Sequence, residues 1–121
     1  YPMKNMALYP QWHDETHRPH KTVIVTGATE PMGKATSYFY ATRQCRVIMA
    51  CREMDKCLSF RRELVVDTKN KSIVCRHLDL EDVGSINKFA DQIIEKEPHV
   101  DVLVNNGFVF DESGEKMSNT H

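Results

Sequence analysis

Apolar residues in this chain follow two rhythms. Near-continuous apolar runs rich in β-branched residues at Thr22–Thr26, Arg46–Cys51, Ser72–Leu78 and Val100–Asn105 fit strands buried on both faces. Between them lie three segments with helical spacing. Met32–Arg43 places Ala35, Tyr38, Phe39 and Thr42 on one stripe, and Met54–Val66 places Cys57, Leu58, Arg61 and Leu64 or Val65 on one side. Val83–Lys96 aligns Val83, Ile86, Phe89, Ala90 and Ile93, with its cap expected at Asp79 or at Glu81–Asp82. Strand and helix alternate throughout, which predicts the α/β class: a parallel sheet with helices on both faces, joined by right-handed crossovers and ended after the fourth strand.

The flanks lack either rhythm. Residues 1–20 hold Pro2, Pro10 and Pro19 among histidines and charges and read as a disordered or loosely attached arm. Residues 21–110 form the expected domain, and 111–121 a polar tail. The chain opens on Tyr1 instead of Met, so a piece of something longer is expected.

Composition narrows the function classes. With 121 residues, 40% hydrophobic content and a net charge of −1, the chain suits one core. Sixteen basic residues are offset by seventeen acidic ones, which argues against a nucleic-acid partner. No apolar run is long enough for a membrane span, and no signal-peptide layout opens the chain. Cys45, Cys51, Cys57 and Cys75 lack a CxxC or a framework spacing, and are expected to be reduced and partly buried in a cytoplasmic or cytosol-facing protein.

The first strand runs into Gly27-Ala28-Thr29-Glu30-Pro31-Met32-Gly33 and then a helix. Gly27 permits a sharp bend, Gly33 permits close packing of helix on strand, and helix-start N–H groups attract a pyrophosphate. About twenty residues on, Arg52 follows the second strand, where an arginine accommodates a ribose 2′-phosphate and an acidic residue would favour the bare 2′-hydroxyl. Arg52 therefore favours NADP, although NAD stays open because Glu30 would repel a phosphate near the same ribose. The plainer alternative makes Arg52 a solvated residue at a helix start.

Five motifs in order, Thr-Val-Ile-Val-Thr-Gly, Val-Ile-Met-Ala-Cys-Arg, Val-Asp-Thr-Lys-Asn, Arg-His-Leu-Asp-Leu and Val-Leu-Val-Asn-Asn, resemble the amino-terminal half of the short-chain dehydrogenases/reductases, most closely the retinol dehydrogenase branch. The resemblance spans Lys21 to Asn106, about seventy per cent of the chain. It implies a Rossmann-like fold and a nicotinamide dinucleotide partner. It also implies that Gly27, Thr29, Met32 and Gly33 line the pyrophosphate, Arg52 meets the 2′-phosphate, Asp79 and the Leu80 backbone meet the adenine, and Asn105 braces the fourth strand beside the cofactor. Plainer roles exist: Asp79 as a helix cap, Asn105 and Asn106 as turn residues.

Three glycines of the family pattern are replaced, by Pro31, Gln44 and Phe108. Proline suits the first helical position but removes an N–H donor and fills space beside the phosphates. Gln44 replaces a glycine that ends the first helix in left-handed geometry. Members of the family use a tyrosine, a lysine four residues later and a serine, and no residue of this chain matches those positions, so no catalytic residue carries over. The expectation is the cofactor-binding portion of an NADP-dependent oxidoreductase, inactive as this chain. The alternative is a non-catalytic interaction module that uses the fourth-strand edge to self-associate or to capture a partner strand. His13, His17 and His20 are not read as a metal site, and the Asn70-Lys71-Ser72 glycosylation triplet is set aside as a chance match.

Overall fold

A computed structural model describes residues 20–106; the expected arm through residue 19, the tail, Gly107 and Phe108 lie outside the described residues. Seven elements alternate: β1 (Thr22–Thr26), α1 (Pro31–Thr42), β2 (Arg46–Cys51), α2 (Met54–Thr68), β3 (Ile73–His77), α3 (Val83–Lys96) and β4 (Val102–Asn105). All strand pairs are parallel, in the order β3-β2-β1-β4. The chain moves outward from β1 to β3 and then crosses back to β4. Right-handed crossovers therefore place α1 and α2 on one face and α3 on the other.

The densest core lies under α1 and α2. Val23, Val25, Val47, Met49 and Ile73 meet Ala28, Ala41, Cys57, Phe60 and Leu64 there, all buried. Both central strands are apolar along nearly their whole length because both faces are covered, as their sequences predict. The outer strands are less covered, and Leu103 on β4 is 64% exposed.

The helix limits match their patterns, yet two of the expected faces differ. On α1 the buried residues are Gly33, Ser37 and Ala41, while Ala35, Phe39 and Thr42 of the expected stripe are exposed. Small residues let the helix axis approach the sheet, which outweighs the larger apolar stripe as a guide to its inner face. Tyr38 only flanks the core, and its hydroxyl donates to Asp67 on α2 at 2.5 Å. On α2, Phe60 replaces Leu58 at the core, Leu58 being exposed. The α3 stripe is half-buried at Ile86, Phe89 and Ile93, and exposed at Val83 and Ala90.

Side chains close the sheet's amino-terminal edge. Arg46 makes a two-pronged pair with buried Glu97, both contacts at 2.7 Å, and Asp101 accepts from the Thr22 amide at 2.8 Å. Buried Asn70 donates to the carbonyls of Ala41 and Cys45, satisfying the end of α1. That bonding occupies the amide nitrogen that glycosylation would need.

The expectation of four reduced cysteines is corrected. The sulfurs of Cys51 and Cys57 are joined as a disulfide, leaving Cys45 and Cys75 free. Strand and helix spacing placed each cysteine separately, and only the packing of α2 against β2 brings these two together.

Candidate functional site

The carboxyl ends of the four strands share one edge, and β1 and β4 are adjacent although β4 comes last. Ligands of open α/β sheets bind at such a reversal. The β1 turn is built for close approach. Gly27 has φ 59°, which a side chain would disfavour. A Cβ on Gly33 would collide with the Gly27 carbonyl and lie 2.7 Å from the Ala28 Cα, so α1 can pack here only through glycine.

Pro31 takes the first helical position, and Glu30 before it is extended at φ −77°, ψ 159°, as expected for a residue preceding proline. Glu30 makes no side-chain cap, and its amide donates to the Gly27 carbonyl at 3.1 Å. The first intrahelical bond runs from the Lys34 amide to the Glu30 carbonyl at 2.8 Å. The Met32 and Gly33 amides therefore stand at the helix start with no acceptor among the described residues, and Met32 itself is 72% exposed. Thr29 is half-buried beside them.

At the β2 end, Arg52 is exposed and ion-pairs with no carboxylate among the described residues. Its neighbour Glu53 is engaged by Lys56 at 2.9 Å, a contact that holds the Glu53 carboxyl below its ordinary range. Arg52 does not cap α2; Glu53 takes the cap position without a side-chain bond. The β3 end lies next to it, since the Leu78 amide donates to the Cys51 carbonyl at 2.9 Å. One oxygen of Asp79 accepts from the Glu81 amide at 3.0 Å and shapes the turn into α3, while Leu80 is half-buried. The cap of α3 is Asp82, which accepts from Gly84 and Ser85, so capping does not account for Asp79.

At the β4 end, Asn105 and Asn106 meet a residue that motif reading passed over. The Thr26 hydroxyl donates to the Asn105 side-chain oxygen at 3.0 Å and accepts from the Asn106 amide at 2.9 Å. Thr26 thus ties the end of β4 to β1 directly before the glycine turn. The signal available was a buried strand ending in a hydroxyl residue just before Gly27, which reads as β-propensity unless its partner strand is known.

Structure therefore gathers Gly27, Thr29, Met32, Gly33, Arg52, Asp79, Leu80 and Asn105 on one edge of one sheet. These features define an α/β protein of the dinucleotide-binding class. The short chain dehydrogenase family pattern matches residues 21–120, and the chain belongs to that family. It is 46% identical over 91 residues to human (Homo sapiens) retinol dehydrogenase 13, covering 75% of this chain and 28% of that protein. Among solved structures, menthone neomenthol reductase from Mentha piperita matches with TM-score 0.70 and 26% identity, over 77% of this chain and 33% of its own. Actinorhodin polyketide ketoreductase with NADPH matches with TM-score 0.64 and 26% identity, over 72% of this chain and 33% of its own. The chain thus spans under a third of the length of the curated relatives it matches.

Proposed function

We propose that this chain is the cofactor-binding portion of an NADP-dependent short-chain oxidoreductase resembling the retinol dehydrogenases, without turnover of its own. The observation that carries this reading is the β1–α1 turn: a left-handed Gly27, a Gly33 with no room for a side chain, and two helix-start amides without acceptors among the described residues. The Met32 and Gly33 amides would hold the pyrophosphate, with Thr29 at its side. Arg52, without a carboxylate partner among the described residues, would meet the 2′-phosphate, and the NADPH bound to the ketoreductase neighbour supports that preference. Asp79 and the Leu80 backbone would meet the adenine. Asn105, held by Thr26, would keep β4 in place beside the nicotinamide half. NADP, once bound, supplies the hydride-accepting or hydride-donating ring; this chain's residues bind and orient it.

Exchanging Arg52 tests the assignment. Arg52→Glu should weaken NADPH binding about tenfold or more while leaving NADH nearly unchanged, since a charge-assisted hydrogen bond contributes roughly 1.5–3 kcal/mol. Equal losses for both cofactors, read by titration of nicotinamide fluorescence, would remove Arg52 from the 2′-phosphate. Retinal reduction by the 121-residue chain alone would contradict its assignment as a binding portion only.

A second reading is favoured by one observation. β4 is the edge strand of the sheet and its Leu103 is 64% exposed. Such an edge supports strand addition, as in a non-catalytic interaction module. Sedimentation at increasing concentration tests it: self-association should appear, and a monomer throughout would remove it.

A further inference from the structure

The turn that carries Arg52 is closed by a covalent link. Cys51 ends β2 and is 2% exposed, and Cys57, in the first turn of α2, is fully buried. Their Cα atoms are 6.2 Å apart, within the span a disulfide allows, and the sulfurs are bonded. Between them run Arg52, Glu53, Met54, Asp55 and Lys56, the first of which we assign to the 2′-phosphate. The same loop holds the Glu53–Lys56 ion pair and the bond from the Cys57 amide to the Glu53 carbonyl at 3.1 Å. Those two contacts fix the start of the helix. The Cys51–Cys57 link also fixes the helix start to the strand end.

The remaining cysteines, Cys45 and Cys75, are free thiols, and burial raises both above the ordinary thiol range.

We propose that Cys51 and Cys57 form a reversible dithiol–disulfide couple that locks and releases the Arg52 turn. In the oxidising direction, local opening of the Arg52 turn exposes the buried thiols, and the thiolate of one cysteine attacks a small-molecule disulfide such as oxidised glutathione and expels one thiol. The second cysteine then attacks the mixed disulfide and expels the other. The pair loses two electrons and two protons, and the small disulfide becomes two thiols. Ordering Arg52 in advance lowers the cost of binding, so the locked form should hold NADPH about two- to tenfold more tightly than the reduced form. This consequence for affinity rests on the function proposed above; the lock itself does not.

The intact chain should be equilibrated with oxidised or reduced glutathione, quenched in acid, unfolded and alkylated. Mass analysis should find two alkylated thiols in the oxidised sample, Cys45 and Cys75, and four in the reduced one. In parallel, trypsin cleavage after Arg52 should be severalfold slower in the oxidised form. Cys57→Ala should cleave at the reduced rate in both buffers, and if that variant does not fold, the two states of the unaltered chain still decide. Four alkylated thiols in both samples, or equal cleavage after Arg52 in both states, would overturn the couple. Cleavage that follows redox state with no NADPH binding in either form would uphold the lock and defeat the cofactor assignment. NADPH binding of equal strength in both forms would overturn the link between the two.

Discussion

Gln44 stands at φ 62°, in left-handed backbone that glycine adopts without penalty. Its side chain recovers part of that cost by donating to the Thr68 carbonyl at 3.2 Å. Gln44→Gly should therefore stabilise the chain by about 1 kcal/mol, read as a higher denaturant midpoint at unchanged slope. An unchanged or lower midpoint would mean that the Thr68 contact outweighs the backbone cost. Pro31 has the opposite character: the helix accepts it at its first position, so under the proposed function its cost is expected in ligand binding. Pro31→Gly restores one N–H donor and should raise NADPH affinity roughly ten- to a hundredfold, as a hydrogen bond to a charged group predicts. An unchanged dissociation constant would show that position 31 does not face the phosphates. Both residues were legible in the sequence because a family pattern marks glycine there. Thr26 was not, since its hydroxyl acquires a role only when β4 pairs beside β1.

Among the elements, the limits of β2 and α3 follow directly from hydropathy, because runs of Arg46–Cys51 and Val83–Lys96 are bounded by polar or turn-forming residues. The inward face of α1 did not. Its large residues Tyr38, Phe39 and Tyr40 obscured the small ones, whose value lies in close approach to a sheet that sequence does not display. Tyr38 instead joins α1 to α2: its hydrogen bond to Asp67, with burial and the nearby Glu63 charge, pushes the phenol up to about 12. The unfolded phenol ionises near pH 10, so between about 10 and 12 the folded chain binds more protons than the unfolded one. Stability from this contact is complete below pH 10 and is lost as pH rises through that window. Tyr38→Phe should lack this part of the slope when unfolding is followed by denaturant titration from pH 9 to about 12. Matching slopes would remove the contact from the α1–α2 interface.

At the scale of the molecule, parallel order and the position of the switch between β1 and β4 place every assigned binding residue on one edge, while Arg46–Glu97 and Thr22–Asp101 close the other. The α/β class was readable from alternation alone, and the family from five motifs in order. The Cys51–Cys57 pair was not, because it depends on how α2 docks, and no sequence interval displays that. Membership of the short chain dehydrogenase family makes dinucleotide binding the central claim, and the N–H donor missing at Pro31 makes the proposal one of weak binding. Fluorescence titration of the purified chain with NADPH tests it most directly. Saturable enhancement, abolished or strongly weakened in Arg52→Glu, is the predicted result. No saturable change up to about millimolar cofactor, where binding free energy falls to roughly 4 kcal/mol, would contradict it.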